Sequence, residues 1–163
     1  MHIRQIYEYA LQFEYEGKRF FEQNAERLSH AACVEAFRRL AAEEQRHIEF
    51  LTNLLASLDQ GGLPSPEAGL AIERESFFTQ RASKEMLDQT VSEAMLPDLP
   101  ILRMAYLIER DFSEFYEMVA QKTEGPAKDA LTLLAGWERA HERFFKCLHD
   151  KAFEEYAQMP WGG

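Results

Sequence analysis

Cysteine is nearly absent from this chain. Its 163 residues include two, Cys33 and Cys147, with no Cys-x-x-Cys pair, which excludes a tetracysteine zinc or iron site and leaves any metal to carboxylates and histidines. Two lone thiols suit a reducing compartment, and both are expected as small core residues. No apolar run approaches the roughly 18 residues that span a bilayer, so no membrane association is expected. The opening Met1-His2-Ile3-Arg4-Gln5-Ile6 lacks the apolar core and cleavage site of a secretory signal, and a cytoplasmic location follows as the expectation. Basic residues are few, 18 against 28 acidic for a net charge of −10. That balance denies a phosphate backbone the basic face it needs, so nucleic acid is excluded as a partner. Val, Ile and Thr number only 14, against 60 for Ala, Leu and Glu, and straight side chains lose little rotamer freedom in a helix. An all-α fold is expected, and the length suits one domain over residues 1–163.

Proline is sparse and confined. Pro64, Pro66, Pro97, Pro100, Pro126 and Pro160 leave four long stretches unbroken, because proline disrupts a helix interior but suits its first turn. The first stretch, Ile3 to Leu28, repeats Ile6, Ala10, Phe13, Gly17 and Phe21 at helical spacing. The second, Ala31 to Leu58, carries Phe37, Leu40, Ala41, Ile48, Leu51 and Leu54, with Ser29 as its expected N-cap. The third runs from Pro100 to Lys122 behind Asp98 as cap, and the fourth from Pro126 to before Pro160. Residues 3–58 and 100–157 therefore read as two helical hairpins. The crossover 59–99 is long enough to traverse a bundle of about 40 Å, and Met86 to Met95 is expected as a short amphipathic helix within it.

What stands out is six polar residues inside the apolar stripes. Glu14 follows Ala10 by four and precedes Gly17 by three, and Glu109 stands likewise between Ala105 and Phe112. On the second helix Glu44 and His47 are bracketed by Leu40, Ala41 and Leu51, and on the fourth Glu138 and His141 are bracketed by Leu134, Ala135 and Phe145. The halves form a pseudo-repeat. Ala10, Glu14 and Phe21 match Ala105, Glu109 and Tyr116 at an offset of 95, while Leu40, Ala41, Glu44, His47 and Leu51 match Leu134, Ala135, Glu138, His141 and Phe145 at 94. Glu14 and Glu44 each lie 15 residues from the first turn at position 29, so both stand about 22 Å from it and are level. Each hairpin thus sets one Glu beside a Glu-x-x-His whose two side chains share a helix face.

Four carboxylates cannot all stay ionised in an apolar core without cations. Two metal ions would neutralise them, and oxygen-rich ligation with one imidazole per metal suits iron or manganese, with zinc able to occupy the same ligands. Glu43, Glu49, Glu114, Glu117 and Glu142 fall off the stripes and are expected on a solvated face. His30 and His149 have no partner at ligand spacing. Tyr7, Tyr106 and Tyr116 share faces with the first- and third-helix ligands, with packing as the expected role and Tyr106 as the one able to bond a ligand or relay an electron.

The residues Ala10 to Gly17 with Phe20-Phe21, Glu43-Glu44-Gln45-Arg46-His47, Ala105 to Tyr116 and Glu138-Arg139-Ala140-His141 make the chain resemble the ferritin-like superfamily, and within it rubrerythrin-type di-iron proteins. The resemblance implies a ferritin-like four-helix bundle with two iron ions. Glu14 and Glu109 would be terminal ligands, Glu44 and Glu138 bridges, and His47 and His141 one ligand to each iron, with no catalytic residue beyond them. It also implies reaction with hydrogen peroxide or oxygen, in peroxide scavenging or ferroxidase activity against oxidative stress, and a homodimer. Full-length rubrerythrins carry a rubredoxin-like domain with four cysteine ligands, which two cysteines cannot supply, so an external electron donor such as a rubredoxin-like protein is expected. Peroxide-reducing members carry a further carboxylate one turn from the third-helix ligand, where this chain has Tyr106 and Phe112. The alternative reading is a non-catalytic iron-binding, iron-handling protein, and a purely structural bundle would bind no stoichiometric metal.

Overall fold

A computed structural model describes residues 2–62, 67–79, 84, 87 and 93–160. Among the described residues five helices run in the order α1 (Ile3–Ala25), α2 (Ala31–Asp59), α3 (Glu67–Glu75), α4 (Leu99–Gln121) and α5 (Gly125–Gln158), with 3₁₀ segments at Phe77–Thr79 and Glu93–Asp98. There is no strand among the described residues. The chain is an all-α, ferritin-like four-helix bundle in which α1 pairs with α2 and α4 with α5, as the proline pattern requires. The helix α3 was not foreshadowed by the periodicity, which is weak over so short a span. The amphipathic helix expected over Met86 to Met95 falls mostly outside the described residues. Its end is the Glu93–Asp98 segment, whose Met95 is buried against the main core.

The helix ends correct two expectations. Ser29 is not the cap of α2; that place belongs to His30, whose Nδ1 accepts from the Ala32 backbone N–H at 3.1 Å. Asp98 does precede α4 but makes no capping hydrogen bond there. Its fully buried carboxylate reaches across the bundle instead and accepts from the backbone N–H groups of Ser29 (2.7 Å) and His30 (2.9 Å). One side chain thereby satisfies donors in the α1–α2 turn and ties that turn to the start of α4. The other tight turn, before Pro126, relies on Gly125 at φ +63°, a left-handed backbone that a side chain would strain.

The apolar core is in two parts. Phe21, Phe37, Leu40, Leu102, Phe145 and Leu148 belong to one cluster, whereas Tyr7, Leu51, Tyr116, Leu131, Leu134 and Trp137 belong to the other. Along each long helix the glutamates and histidines sit between these two sets: Glu44 and His47 fall between Leu40 and Leu51, and Glu138 and His141 between Leu134 and Phe145. Cys33 is buried, as expected, but Cys147 is exposed and not a core residue, because α5 turns Phe145 and Leu148 inward on either side of it. No described helix is long and apolar enough to cross a membrane.

The Asp98 tie gives a direct test. Asp98→Ala leaves two turn N–H groups without their acceptor and should lower unfolding stability by about 2–4 kcal/mol in urea titrations, with Asp98→Asn losing less. An unchanged midpoint for Asp98→Ala would contradict the role assigned to this carboxylate.

Candidate metal centre

All six side chains singled out by the stripes converge in the layer between the two apolar clusters, and none is more than 1% exposed. The Nδ1 of His47 lies 2.9 Å from Glu138 Oε1, 3.2 Å from Glu14 Oε2 and 3.8 Å from Glu44 Oε2. The Nδ1 of His141 lies 3.0 Å from Glu109 Oε2, 3.2 Å from Glu138 Oε2 and 3.5 Å from Glu44 Oε1. Two overlapping sets emerge, Glu14–Glu44–His47–Glu138 and Glu44–Glu109–Glu138–His141, each with donor atoms within 4.8 Å of one another. Glu44 and Glu138 belong to both, so the arrangement can hold two cations sharing two carboxylates. The imidazoles stack at 5.4 Å between centroids.

The donor set fits metal. Both oxygens of Glu44 and Oε1 of Glu109 are buried with no hydrogen-bond donor, and an orphaned buried carboxylate oxygen is costly unless something cationic meets it. Protons now carry that burden. Burial pushes the Glu44 carboxyl well above the ordinary carboxylate range, and the neighbouring Glu138 and Glu14 push it further. Glu109 is raised by burial and by Glu138. Burial opposes charge on the imidazoles, yet Glu138 and Glu14 raise His47 to about 10, and hydrogen bonds to Glu109, Glu138 and Glu43 raise His141. Glu138 is held low despite its burial, because both imidazoles face it.

Two neighbours escape the stripe pattern. Glu43, expected on a solvated face, is 6% exposed. It accepts from Ser76 Oγ (2.7 Å) and the Phe77 backbone N–H (2.8 Å), and its Oε2 lies 3.1 Å from His141 Nε2. With His47 and His141 it makes a third cluster of donor atoms within 4.8 Å, but both of its oxygens are already engaged. The crossover segment at Ser76–Phe77 covers this side of α2, which helical periodicity of α2 alone cannot reveal. Its signal was the neighbouring acid itself, a second Glu immediately before a buried one. Tyr116, expected only to pack, donates its hydroxyl to Glu14 Oε1. Tyr106, expected to pack and also able to bond a ligand, packs against the His149 ring at 5.3 Å. Glu142 also departs from the solvated face, being 9% exposed with Arg139 at 2.6 Å, while Glu49, Glu114 and Glu117 are exposed as expected.

Close packing surrounds the cluster. Trp137 lies on the His47 ring at 4.8 Å, and Phe78 meets the His141 ring edge-on at the same distance. On the α1–α4 side Phe13 and Phe112 stack at 5.0 Å. Gly17 is required there, since a Cβ at that position would stand 2.9 Å from the Phe112 ring and 3.6 Å from Glu44 Oε2. The absence of a side chain lets α1 and the Phe112 ring approach beside an orphaned carboxylate.

Comparison with known proteins agrees with this geometry. The family model Rubrerythrin matches residues 5–149, a span that takes in all six converging side chains. No curated protein and no solved structure matches the chain.

The proton inventory sets an expectation for metal binding. Glu44, Glu109, His47 and His141 are all raised, which favours their protonated forms in the absence of metal, and cations compete with those protons. Binding of two zinc ions at pH 7 should therefore release several protons, up to about four, and affinity should rise with pH. Calorimetry in buffers of differing ionisation enthalpy reads the number; an affinity independent of pH between 6 and 8 would contradict the assignment.

Proposed function

The chain belongs to the rubrerythrin family, and from that premise we propose that it is a di-iron carboxylate oxidoreductase that reacts with hydrogen peroxide or oxygen. Glu14, Glu44, His47, Glu109, Glu138 and His141 would hold the two ions, with Glu44 and Glu138 shared between them. The observation that carries the reading is the pair of overlapping donor sets with orphaned Glu44 oxygens at their centre. Two bound Fe(II) ions would supply two electrons, the number that reduces one hydrogen peroxide, with two protons, to two waters.

The protein's own contribution is positional and electrostatic. Four carboxylates and two neutral imidazoles bring four negative charges to two divalent cations, so the loaded layer is neutral where the metal-free one relies on protons. Full burial keeps the ligands fixed by packing, and the aromatic cover of Phe13, Phe112 and Phe78 keeps bulk water from the layer. Tyr116 fixes the rotamer of Glu14 through its hydroxyl, and Glu43 fixes the ring of His141. Neither neighbour of Glu109 one turn away, Tyr106 or Phe112, offers the further carboxylate of peroxide-reducing relatives. The ligand count therefore stays at six. Cytoplasmic action, a homodimer and an external electron donor such as a rubredoxin-like protein complete the proposal. Non-catalytic iron handling is the reading that slow turnover would favour.

Anaerobic loading with Fe(II), followed by rapid mixing with oxygen and separately with hydrogen peroxide, tests it through the near-ultraviolet absorbance of the oxidised centre. Oxidation within seconds by at least one of the two, at two irons per chain, is expected, and Glu44→Ala should abolish it. Oxidation no faster than that of free Fe(II) in the same buffer would overturn the oxidoreductase reading in favour of iron handling.

A further inference from the structure

Among the positions where the two halves of the pseudo-repeat differ, two set different polar chemistry against the side chains of the cluster. At the offset of 94 that superposes Glu44 on Glu138 and His47 on His141, Glu43 superposes on Trp137. At the offset of 95 that superposes Glu14 on Glu109, Phe21 superposes on Tyr116. The consequences are local. Glu43 places a carboxylate oxygen 3.1 Å from the outer nitrogen of His141, whereas Trp137 lays an apolar indole on His47. Tyr116 donates to a Glu14 oxygen, whereas Phe21 has no hydroxyl to give and Glu109 Oε1 is left without a donor.

We propose that the two metal positions are unequal by construction: the position built on Glu109 and His141 binds the tighter cation and fills first, and the one built on Glu14 and His47 is the weaker, exchangeable position. This rests on the di-metal reading above. An imidazole that donates its outer N–H to a carboxylate presents a more electron-rich inner nitrogen and a fixed ring, and such supporting contacts are worth about 10–100-fold in metal affinity. His141 has that partner. Glu43 is in turn held by Ser76 and the Phe77 backbone, so its orientation does not depend on the metal. On the other side Trp137, at the position equivalent to Glu43, offers the His47 ring an indole face and no carboxylate, and the neutral Tyr116 hydroxyl only orients Glu14 through its Oε1. The Glu43 contact adds a full negative charge beside the first position, which the neutral Tyr116 hydroxyl does not match at the second. The bridging Glu44 and Glu138 are common to both and cannot offset either effect. A protein with one retained and one exchangeable ion is suited to passing the second through, so the inequality bears on whether iron can turn over at this centre.

Two-step binding alone does not test the inference, because a second cation meets repulsion from the first even at identical positions. The identity of the steps does. Metal-free protein titrated anaerobically with Co(II), followed by visible absorbance, should take two ions per chain in separable steps. Glu43→Gln, which keeps the volume and the accepting oxygen but removes the charge, should weaken the first step about 10-fold or more and leave the second nearly unchanged. Tyr116→Phe should weaken the second step and leave the first nearly unchanged. His47→Ala should retain one ion at close to the first-step affinity, and His141→Ala should retain one only at the weaker affinity, with circular dichroism reporting that each variant is folded. If the histidine variants do not fold, the Glu43→Gln and Tyr116→Phe isotherms decide. A first step unmoved by Glu43→Gln, or equal affinities in the two histidine variants, would overturn the inequality while leaving the di-metal reading intact. Failure of the unaltered protein to bind stoichiometric Co(II) would overturn both.

Discussion

Burial of four carboxylates in one layer of a helical bundle is the constraint on which the rest of this structure depends. Glu14, Glu44, Glu109 and Glu138 are fully enclosed, and mutual repulsion at these distances makes full ionisation untenable unless positive charge joins them. His47 and His141, both raised by the carboxylates around them, supply part of it, and burial with mutual repulsion raises Glu44 and Glu109 toward the neutral form. That is an expensive arrangement for a core that could have been filled with leucine. It is an economical one for a core that holds two cations, because every displaced proton frees a ligand atom already in place.

The scaffold serves that layer. Apolar clusters above and below it provide the burial that stabilises the bundle, and the tight turns at positions 26–30 and 122–124 bring the paired glutamates level. Asp98 ties the first of those turns to α4, joining two hairpins that otherwise meet chiefly through side chains. The pseudo-repeat of the two hairpins gives the donors their near-symmetry. Its imperfection, at Glu43 and Trp137 and at Phe21 and Tyr116, makes the two halves chemically different. Sequence symmetry builds the two overlapping donor sets, and these differences distinguish their surroundings.

Much of this was legible in the chain before any coordinate. The four long helices follow from proline placement and apolar spacing, and the six convergent residues follow from polar side chains at positions where a stripe demands apolar ones. Periodicity fails where burial comes from another element. Glu43 lies off the inward face of α2 and is enclosed by Ser76 and Phe77 of the crossover, a contact between residues 33 and 34 apart. Asp98 has the composition of a helix cap, but tertiary donors compete successfully for its carboxylate. Tyr116 and Tyr106 share a helix, and only the packing of α1 against α4 decides which hydroxyl meets a glutamate. Cys147 shows the reverse case, since a small residue flanked by core positions reads as core although it faces outward.

The most direct test of the central claim, that this polar layer is a two-metal centre, is a crystal structure of the protein loaded with Mn(II) and measured at a wavelength where manganese scatters anomalously. The account predicts two anomalous peaks within the layer, about 3.5–4 Å apart, one bounded by Glu14 and His47, the other by Glu109 and His141, with Glu44 and Glu138 between them. Anomalous density absent from the layer, or found only at surface carboxylates, would contradict it.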